Sequence, residues 1–412
     1  MAVPVYWNSV EISEDSYNLY QVKQIIDFAK ECGLNIEILW YGSNVCGHTN
    51  YAPSYIKNDT EKYPVISENG LFNYSNENLL KKESAALTAV MNYIYCYDEN
   101  NSVCAVQIEN EPNYDRALSN QSSAAVSYMS ALGVSVKNGK YSVITRVNLC
   151  NYDNENDNSD KELAESLVNS AGIDCVGGDV YTNSVSFSEN YIGAFDFADK
   201  INIVAEGSGA YSRYAQMVMN AFAKGRGYIA YELRTASDSK YDFGIYRKGD
   251  GEWTERDGTG TVIKPDGTEN TYAEVKTQDI KVFNKMINAL SEKIADMIYS
   301  KSGVMLTDEG ETGTTAAGTV NGTAVLYATA TSQKTPDCNK AGTVFYNSDD
   351  GYYYFFTTAN KATFKINNGA YGENKAERYN EKTNEWKTHE KIHLNDGRLE
   401  VYSSYVYRIK IG

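Results

Sequence analysis

The chain has 412 residues, and its 38 Lys and Arg residues against 54 Asp and Glu residues give a formal net charge of −16. This acidic balance argues against nucleic acid as a partner, because phosphate binding needs clustered basic side chains. No apolar run is long enough to cross a bilayer, so the sequence predicts no membrane partner. At this length we expect two domains, or one large barrel with an appended module.

The region from residue 1 to about 236 alternates short apolar runs with longer segments of helical periodicity. The segment after the first run has apolar residues at helical spacing and stops at Gly33. Strict alternation of apolar strands with helices predicts an α/β fold with a parallel sheet covered by helices. The predicted strands are Val3–Trp7, Asn35–Trp40, Val103–Ile108, Tyr141–Leu149, Asp174–Tyr181, Ile201–Gly207 and Gly227–Leu233.

Two architectures compete for this pattern, an open doubly wound sheet and a (β/α)8 barrel of the TIM type. The first strand is not followed by GxGxxG or GxxxxGK[ST], which weakens the nucleotide-binding forms of the open sheet. Polar or charged residues end several predicted strands, and in a barrel these ends meet at one mouth. The sequence therefore favours the barrel; the residues concerned are Asn8, Glu111, Tyr181, Glu206 and Glu232.

The rest of the chain divides into three parts. Residues 237–271 are rich in Gly, Asp and Lys and are interpreted as an excursion or lid, and 272–300 has the pattern of one long helix that closes the barrel. After about 303, short alternating runs are separated by "DDG", "NNG" and "NDG" turns, which is typical of an all-β module. We therefore predict a barrel domain over 1–302 and a small β-sandwich over 303–412.

Two carboxylates end predicted strands in a way that suggests chemistry. In "QIENEPN", Pro112 cannot donate a ladder hydrogen bond, so the strand stops beside Glu111, with Asn110 as its neighbour. In "IVAEGSG", Glu206 follows three apolar residues. Glycoside hydrolysis needs two carboxyl groups and neither metal nor cofactor. That fits a chain with only 3 His residues and no phosphate-binding loop, although the sequence cannot separate retention from inversion.

The segments "VYWNSVE", "NIEILWYGSN", "AVQIENEPN" and "NIVAEGSG" resemble, in order, signatures of the clan A retaining glycoside hydrolases, closest to the β-galactosidase-type families 35 and 42. The resemblance implies that Glu111 is the acid/base, that Glu206 is the nucleophile and that Tyr181 hydrogen-bonds the nucleophile. It implies hydrolysis of β-linked sugars, β-galactosides foremost, in an oligosaccharide or polysaccharide. Counting "QIENEP" as the family's fourth strand leaves its first strand without a counterpart.

Other residues near the strand ends are candidate sugar contacts. Trp7 and Tyr41 are predicted to stack on a pyranose ring, with core packing as a strong competitor. Asn8 is predicted to bind a hydroxyl group or to serve a turn. Glu232 is predicted to contact substrate or to join an ion pair. Glu109 is predicted to be structural, with sugar binding as the alternative.

Several alternatives stay open. The long loops 41–75 and 237–271 favour a walled pocket and exo action, but an endo-β-glucanase, a β-mannanase or a non-catalytic carbohydrate-binding protein also fits the pattern. The 7 Cys residues have no CxxC spacing and are interpreted as buried free thiols. With no signal-peptide pattern at the start, they predict a cytoplasmic protein, or a secreted one if an N-terminal segment has been lost. The sequence predicts no oligomeric state.

Overall fold

The computed structural model of the protein describes residues 1–46, 49–66, 70–113, 122–150, 158–182, 184–197, 200–208, 214–232, 234–235, 246–248, 253–255, 261–263, 269–271, 277–290, 292–307, 316–329, 341–359, 361–367, 375–391, 397–403 and 405–411. The chain divides into two compact units. The first comprises Met1–Val180 and Tyr191–Ala205, and the second comprises Tyr181–Asn190 and Glu206–Gly412. The predicted domains, 1–302 and 303–412, stay a prediction.

The strands up to residue 235 confirm the predicted alternation. Seven of them form one sheet whose strand order follows the chain, β1-β4-β5-β6-β7-β8-β9, and the four pairs from β1 to β7 are parallel. A doubly wound sheet would reverse its strand order at a switch point, so this order is that of a barrel wall. A closed (β/α)8 barrel stays a prediction. The bounds are β1 (Ala2–Tyr6), β2 (Glu11–Ser13), β3 (Ser16–Tyr17), β4 (Ile36–Val45), β5 (Val103–Asn110), β6 (Ile144–Leu149), β7 (Cys175–Val180), β8 (Asn202–Ser208), β9 (Arg226–Tyr231) and β10 (Arg234–Thr235).

Helices follow the strands as the periodicity predicted. The helix Tyr20–Cys32 ends at Gly33, whose φ of 63° is left-handed and suits glycine. Asn76 caps the helix Glu77–Tyr97 by accepting hydrogen bonds from the next turn. The bounds are α1 (Trp7–Val10), α2 (Tyr20–Cys32), α3 (Ser54–Lys57), α4 (Glu77–Tyr97), α5 (Ser122–Lys137), α6 (Asn158–Val168), α7 (Val185–Gly193) and α8 (Tyr214–Ala223).

The segment between residues 246 and 299 is described in parts. Where one long helix is predicted, over 272–300, the structure describes α9 (Thr277–Leu290) and α10 (Glu292–Tyr299); residues 272–276 and 291 lie outside the described part, so the single helix stays a prediction. In the predicted excursion the structure describes short antiparallel pairs. Their strands are β11 (Tyr246–Lys248), β12 (Trp253–Glu255), β13 (Thr261–Ile263) and β14 (Glu269–Thr271).

The C-terminal part is all-β, as its turn-separated runs predicted. A six-stranded sheet has the order β15-β18-β19-β24-β21-β22, and a four-stranded sheet has the order β16-β17-β20-β23. Buried side chains from both sheets, among them Val344 and Phe364, form one hydrophobic core. The sandwich class itself stays a prediction. The bounds are β15 (Gly303–Thr307), β16 (Ala316–Val320), β17 (Thr323–Thr329), β18 (Ala341–Asn347), β19 (Tyr352–Thr357), β20 (Lys361–Asn367), β21 (Lys375–Asn380), β22 (Glu385–Lys391), β23 (Arg398–Tyr402) and β24 (Tyr407–Lys410).

The cysteines differ in part from the prediction of buried thiols. Cys150 and Cys175 are buried, whereas Cys32, Cys96 and Cys104 are exposed. Cys104 lies in an apolar run, but it stands near the start of β5, where its side chain reaches the surface. None of the helices described has both the length and the apolar content that crossing a bilayer requires.

Candidate active site

Glu111 follows the last residue of β5 and is buried, with 9% of its surface exposed. Its backbone has a φ of 47°, and Glu109 two residues earlier has a φ of 59°. Both values lie in the left-handed region, which costs a non-glycine residue about 1–2 kcal/mol. Such strain persists where the surroundings hold the backbone in place, and it concentrates at functional sites.

Asn110, between these two glutamates, is held by three hydrogen bonds. Its carbonyl accepts from the backbone N–H of Cys46 at 3.0 Å, and its Oδ1 accepts from Gln107 Nε2 at 2.9 Å. Its Nδ2 donates to Cys46 Sγ at 3.1 Å. The amide is therefore fixed in one orientation beside Glu111. Donation from this amide to a sugar hydroxyl stays a prediction.

A buried chain of polar side chains continues from Glu111 to the neighbouring strands. The backbone N–H of Glu111 donates to Asn148 Oδ1 at 3.2 Å, and Asn148 Nδ2 donates to Asp179 Oδ2 at 3.0 Å. Asn148 and Asp179 are fully buried. Sequence reasoning missed both, although each is a polar residue near the end of its strand, and that was the available signal.

The residues after Glu111 are fixed in the same way. Asn113 Nδ2 donates to the carbonyl of Cys150 at 2.9 Å and to Asp160 Oδ1 at 2.9 Å, and its Oδ1 accepts from the N–H of Cys150 at 3.0 Å. Burial raises the pKa of the Cys150 thiol, and the nearby carboxylate of Glu111 raises it further. Because the thiolate is the reactive form, a raised pKa argues against Cys150 as a nucleophile.

In the second unit, Tyr181 and Glu206 are brought together. The Tyr181 hydroxyl donates to Glu206 Oε2 at 2.5 Å. The ring of Tyr231 meets the ring of Tyr181 edge-on, with centroids 6.0 Å apart, and so supports its orientation. Glu232 follows Tyr231 through a cis peptide bond and is half-buried. Its role as a substrate contact stays a prediction.

Three half-buried tyrosines form a cluster beside the end of β1: Tyr6 at that end, Tyr41 in the middle of β4 and Tyr51 in the loop after β4. The Tyr6 and Tyr51 ring centroids are 4.5 Å apart, and the Tyr41 centroid lies 5.5 Å from Tyr6 and 6.0 Å from Tyr51. Tyr51 is anchored through its backbone, which donates to the carbonyl of Gly42 and accepts from the N–H of Asn8, both at 2.8 Å. The Asn8 side chain itself is exposed. The sequence singled out Tyr41 and Asn8 but not their partners.

Trp7 does not fit its predicted role. Its ring is fully buried in the core, so neither face is open to a sugar. Its Nε1 donates to Glu11 Oε2 at 2.9 Å, and Glu11 also accepts from the Tyr55 hydroxyl at 2.8 Å. The stacking prediction for Trp7 is therefore corrected to core packing, the competitor named above. An aromatic ring at a strand end satisfies either role, and only its tertiary neighbours decide between them.

The described residues include no group of three or more His, Cys, Asp or Glu side chains arranged to hold a metal ion. His48, a loop histidine, lies outside the described residues. The prediction that the site needs no cofactor stays a prediction.

Comparison with known proteins gives similarity at the level of structure. Residues 125–288 match a family model described as "Domain of unknown function (DUF4978)". No curated protein sequence matches the chain. Among solved structures, the chain is similar to a β-galactosidase from Bacillus circulans sp. alkalophilus, with 11% identity and a TM-score of 0.49 over 72% of this chain and 53% of that chain.

Two further β-galactosidase structures are similar to the chain. That from the psychrophilic Marinomonas ef1 has 10% identity and a TM-score of 0.48 over 76% of this chain and 58% of that chain. That from Rahnella sp. R3 has 11% identity and a TM-score of 0.43 over 59% of this chain and 47% of that chain. The chain thus spans about half the length of these β-galactosidases.

Proposed function

We propose that the protein is a retaining exo-β-glycosidase that hydrolyses terminal β-linked sugars, β-galactosides foremost, by double displacement. Glu206 attacks the anomeric carbon and forms a glycosyl-enzyme. Glu111 first protonates the departing oxygen and then takes a proton from the attacking water. The substrate is an oligosaccharide or polysaccharide, and the reaction uses no cofactor.

The observation that carries the proposal is the hydrogen bond from Tyr181 to Glu206. A phenol that donates to one carboxylate oxygen fixes the rotation of the carboxylate, which a nucleophile needs for in-line attack. The resemblance in sequence assigns this partnership to the same two residues. Agreement between that assignment and the geometry is the support for Glu206 as the nucleophile.

Support for Glu111 comes from its backbone. A general acid must be held within hydrogen-bond reach of the leaving oxygen. Glu111 sits on a left-handed backbone between the tethered Asn110 and Asn113. Strain that is held by so many hydrogen bonds is the pattern expected where one carboxyl group must keep one position.

The tyrosine cluster supports sugar binding and leads to a prediction about Tyr41. We expect Tyr41→Ala to raise KM by about 2–10-fold with little change in kcat, because an aromatic contact contributes about 0.5–1.5 kcal/mol to ground state and transition state alike. Tyr41→Phe keeps the ring and should keep KM. Tyr95→Ala, at an exposed tyrosine of α4, is the matched control. A fall in kcat at constant KM would contradict a binding role.

The function is tested with purified protein and nitrophenyl β-galactoside, β-glucoside, β-mannoside, β-xyloside and β-fucoside. We expect release from one of them, with the β-galactoside first. If none of the five glycosides releases nitrophenol, exo action is contradicted. Reducing ends released from β-glucan or β-mannan would then assign an endo-enzyme, and calorimetric sugar binding without release would assign a carbohydrate-binding protein.

A further inference from the structure

Near the end of β5 lie two neighbouring carboxyl groups that the proposed reaction does not use. Glu109 belongs to β5 and Glu83 belongs to α4, and both side chains are fully buried. Glu109 Oε1 accepts from the backbone N–H and the hydroxyl of Ser43, both at 2.9 Å, and its Oε2 accepts from the N–H of Asn44 at 3.0 Å. The side chain of Glu109 thus binds the backbone near the end of β4.

Glu83 completes the pair from the helix side. Its Oε1 accepts from Trp40 Nε1 at 2.8 Å, and its Oε2 accepts from the Tyr128 hydroxyl at 2.6 Å. Gly42 lies where the two carboxyl groups meet. A Cβ added there would stand 1.8 Å from Glu83 Oε1 and 2.8 Å from Glu109 Oε1, so the space admits only glycine.

Such a pair is stable when it holds one proton, because two buried carboxylates side by side cannot both be charged. Burial raises the pKa of Glu109 well above its usual range, and the neighbouring Glu83 raises it further. The other titratable groups facing Glu109 are the phenols of Tyr74 and Tyr128, whose pKa values burial raises as well. The raised pKa of Glu109 favours one proton shared between the two carboxyl groups.

We propose that Glu109, through its hydrogen bonds to Ser43 and Asn44, positions the proposed acid/base. These hydrogen bonds tie the end of β4 to the strained turn Glu109–Glu111, and Cys46 just beyond that end in turn holds the carbonyl of Asn110. Without these ties the left-handed backbone of the turn would relax and carry Glu111 away from its place. This inference rests on the proposed function of Glu111.

The test is Glu109→Gln. An amide presents one acceptor where the carboxyl group presents two, so Gln at this position loses either the Ser43 or the Asn44 hydrogen bonds. We expect kcat to fall by about 10–100-fold with KM within about threefold, because a displacement of about 1 Å in a catalytic group has that effect. A loss confined to KM would overturn the proposal.

Two variants separate positioning from general destabilisation. Glu83→Gln is the conservative change, because its amide oxygen can accept from Trp40 while the Tyr128 hydroxyl reverses to accept from the amide nitrogen. We expect its kcat within about threefold of wild type.

Asp98 is a buried carboxylate at the opposite end of β5, where it accepts from Val103 N–H at 2.9 Å. Asp98→Asn should lower Tm and leave kcat unchanged; equal losses of kcat in Glu109→Gln and Asp98→Asn at equal Tm would overturn the proposal.

Amide hydrogen exchange tests the positioning without any catalysis. In Glu109→Gln we expect amide exchange in the peptides covering 40–46 and 105–113 to accelerate about tenfold or more, because backbone N–H groups there lose the hydrogen bonds that protect them from exchange. Glu83→Gln should not change it. If the wild type hydrolyses no sugar, the proposed function fails. The amide exchange rates of Glu109→Gln still show in that case whether Glu109 holds β4 and the turn together. Unchanged exchange in Glu109→Gln would overturn the positioning role even in an active enzyme.

The pair also gives a pH signature. A carboxyl group whose folded pKa is raised above its ordinary 4.5 stabilises the fold fully below that value and loses the contribution as pH rises through the folded pKa. The difference in Tm between wild type and Glu109→Gln should therefore shrink as pH rises from about 4 to 8. A constant difference over this range would overturn the shared proton.

Discussion

Replacing Glu206 by Gln is expected to reduce kcat on the accepted nitrophenyl β-glycoside by about 10⁴–10⁶-fold, because an amide cannot form the glycosyl-enzyme. The isosteric change keeps an acceptor for Tyr181, so the melting temperature should stay close to that of the wild type. Steady-state rates and differential scanning calorimetry on the same preparations check the two halves of this expectation.

Glu111→Gln should behave differently, and the contrast assigns the two roles. A nitrophenolate leaves without a proton, so the first step survives, while the second step loses its general base and slows by about 10²–10⁴-fold. We expect a burst of nitrophenol equal to the enzyme concentration, followed by slow turnover. An alkyl glycoside, whose leaving group needs the proton, should show no burst. Azide, which attacks without a general base, should restore turnover and give a β-glycosyl azide.

A matched control and a contradicting result complete this test. Glu189 on α7 is a half-exposed carboxylate paired with Lys224, and Glu189→Gln should leave all rates unchanged. Wild-type rates in Glu206→Gln would refute the nucleophile assignment. An α-glycosyl azide from Glu111→Gln would refute retention, since an inverting enzyme has no covalent intermediate to trap.

The sheet was predictable because its strands are apolar runs that end in residues a strand cannot extend through. Pro112 stands two residues after the end of β5, and Gly33 ends α2 as the pattern indicated. The strain at Glu109 and Glu111 was not predictable, because glutamate carries no signal for a left-handed backbone. Only the hydrogen bonds of the folded state stabilise it there.

Glu83 shows that a signal can be present and still be missed. In "ENLLKKESAALTAV" it reads as one polar residue among several. It follows Leu79 by four residues and precedes Leu87 by four, so it occupies the apolar face of α4, and all three are buried. A charge at an apolar helical position predicts a buried polar partner, and Glu109 is that partner. No comparable sequence rule distinguishes an aromatic residue that packs in the core, such as Trp7, from one that stacks on a sugar ring.

The second large effect is expected on stability, from the buried ion pair that Glu37 of β4 forms with Arg146 of β6. Their side chains are 10% and 3% exposed, and Arg146 Nε donates to Glu37 Oε1. Burial acts to lower the pKa of Arg146, but the charge and hydrogen bond of Glu37 outweigh it and raise the pKa, so the guanidinium stays charged. Among the described residues, its Nη1 has no hydrogen-bond partner. Arg146 thus depends on Glu37.

Glu37→Met should therefore lower the free energy of unfolding by about 3–5 kcal/mol, because it leaves a buried charge without compensation. Urea unfolding followed by far-UV circular dichroism measures the loss. The control is Lys137→Met, which removes the half-exposed pair of Lys137 with Asp174 and should cost no more than about 1 kcal/mol.

The double variant Glu37→Met with Arg146→Met decides what the pair contributes. If the large loss in Glu37→Met is the penalty of an orphaned guanidinium, removing that guanidinium should restore most of the stability, because apolar side chains of similar volume replace buried ion pairs at little cost. If the double variant is as unstable as the single one, the pair itself stabilises the sheet. A single-variant loss no larger than that of Lys137→Met would mean that water reaches Arg146 in solution, and the burial of this ion pair would be wrong.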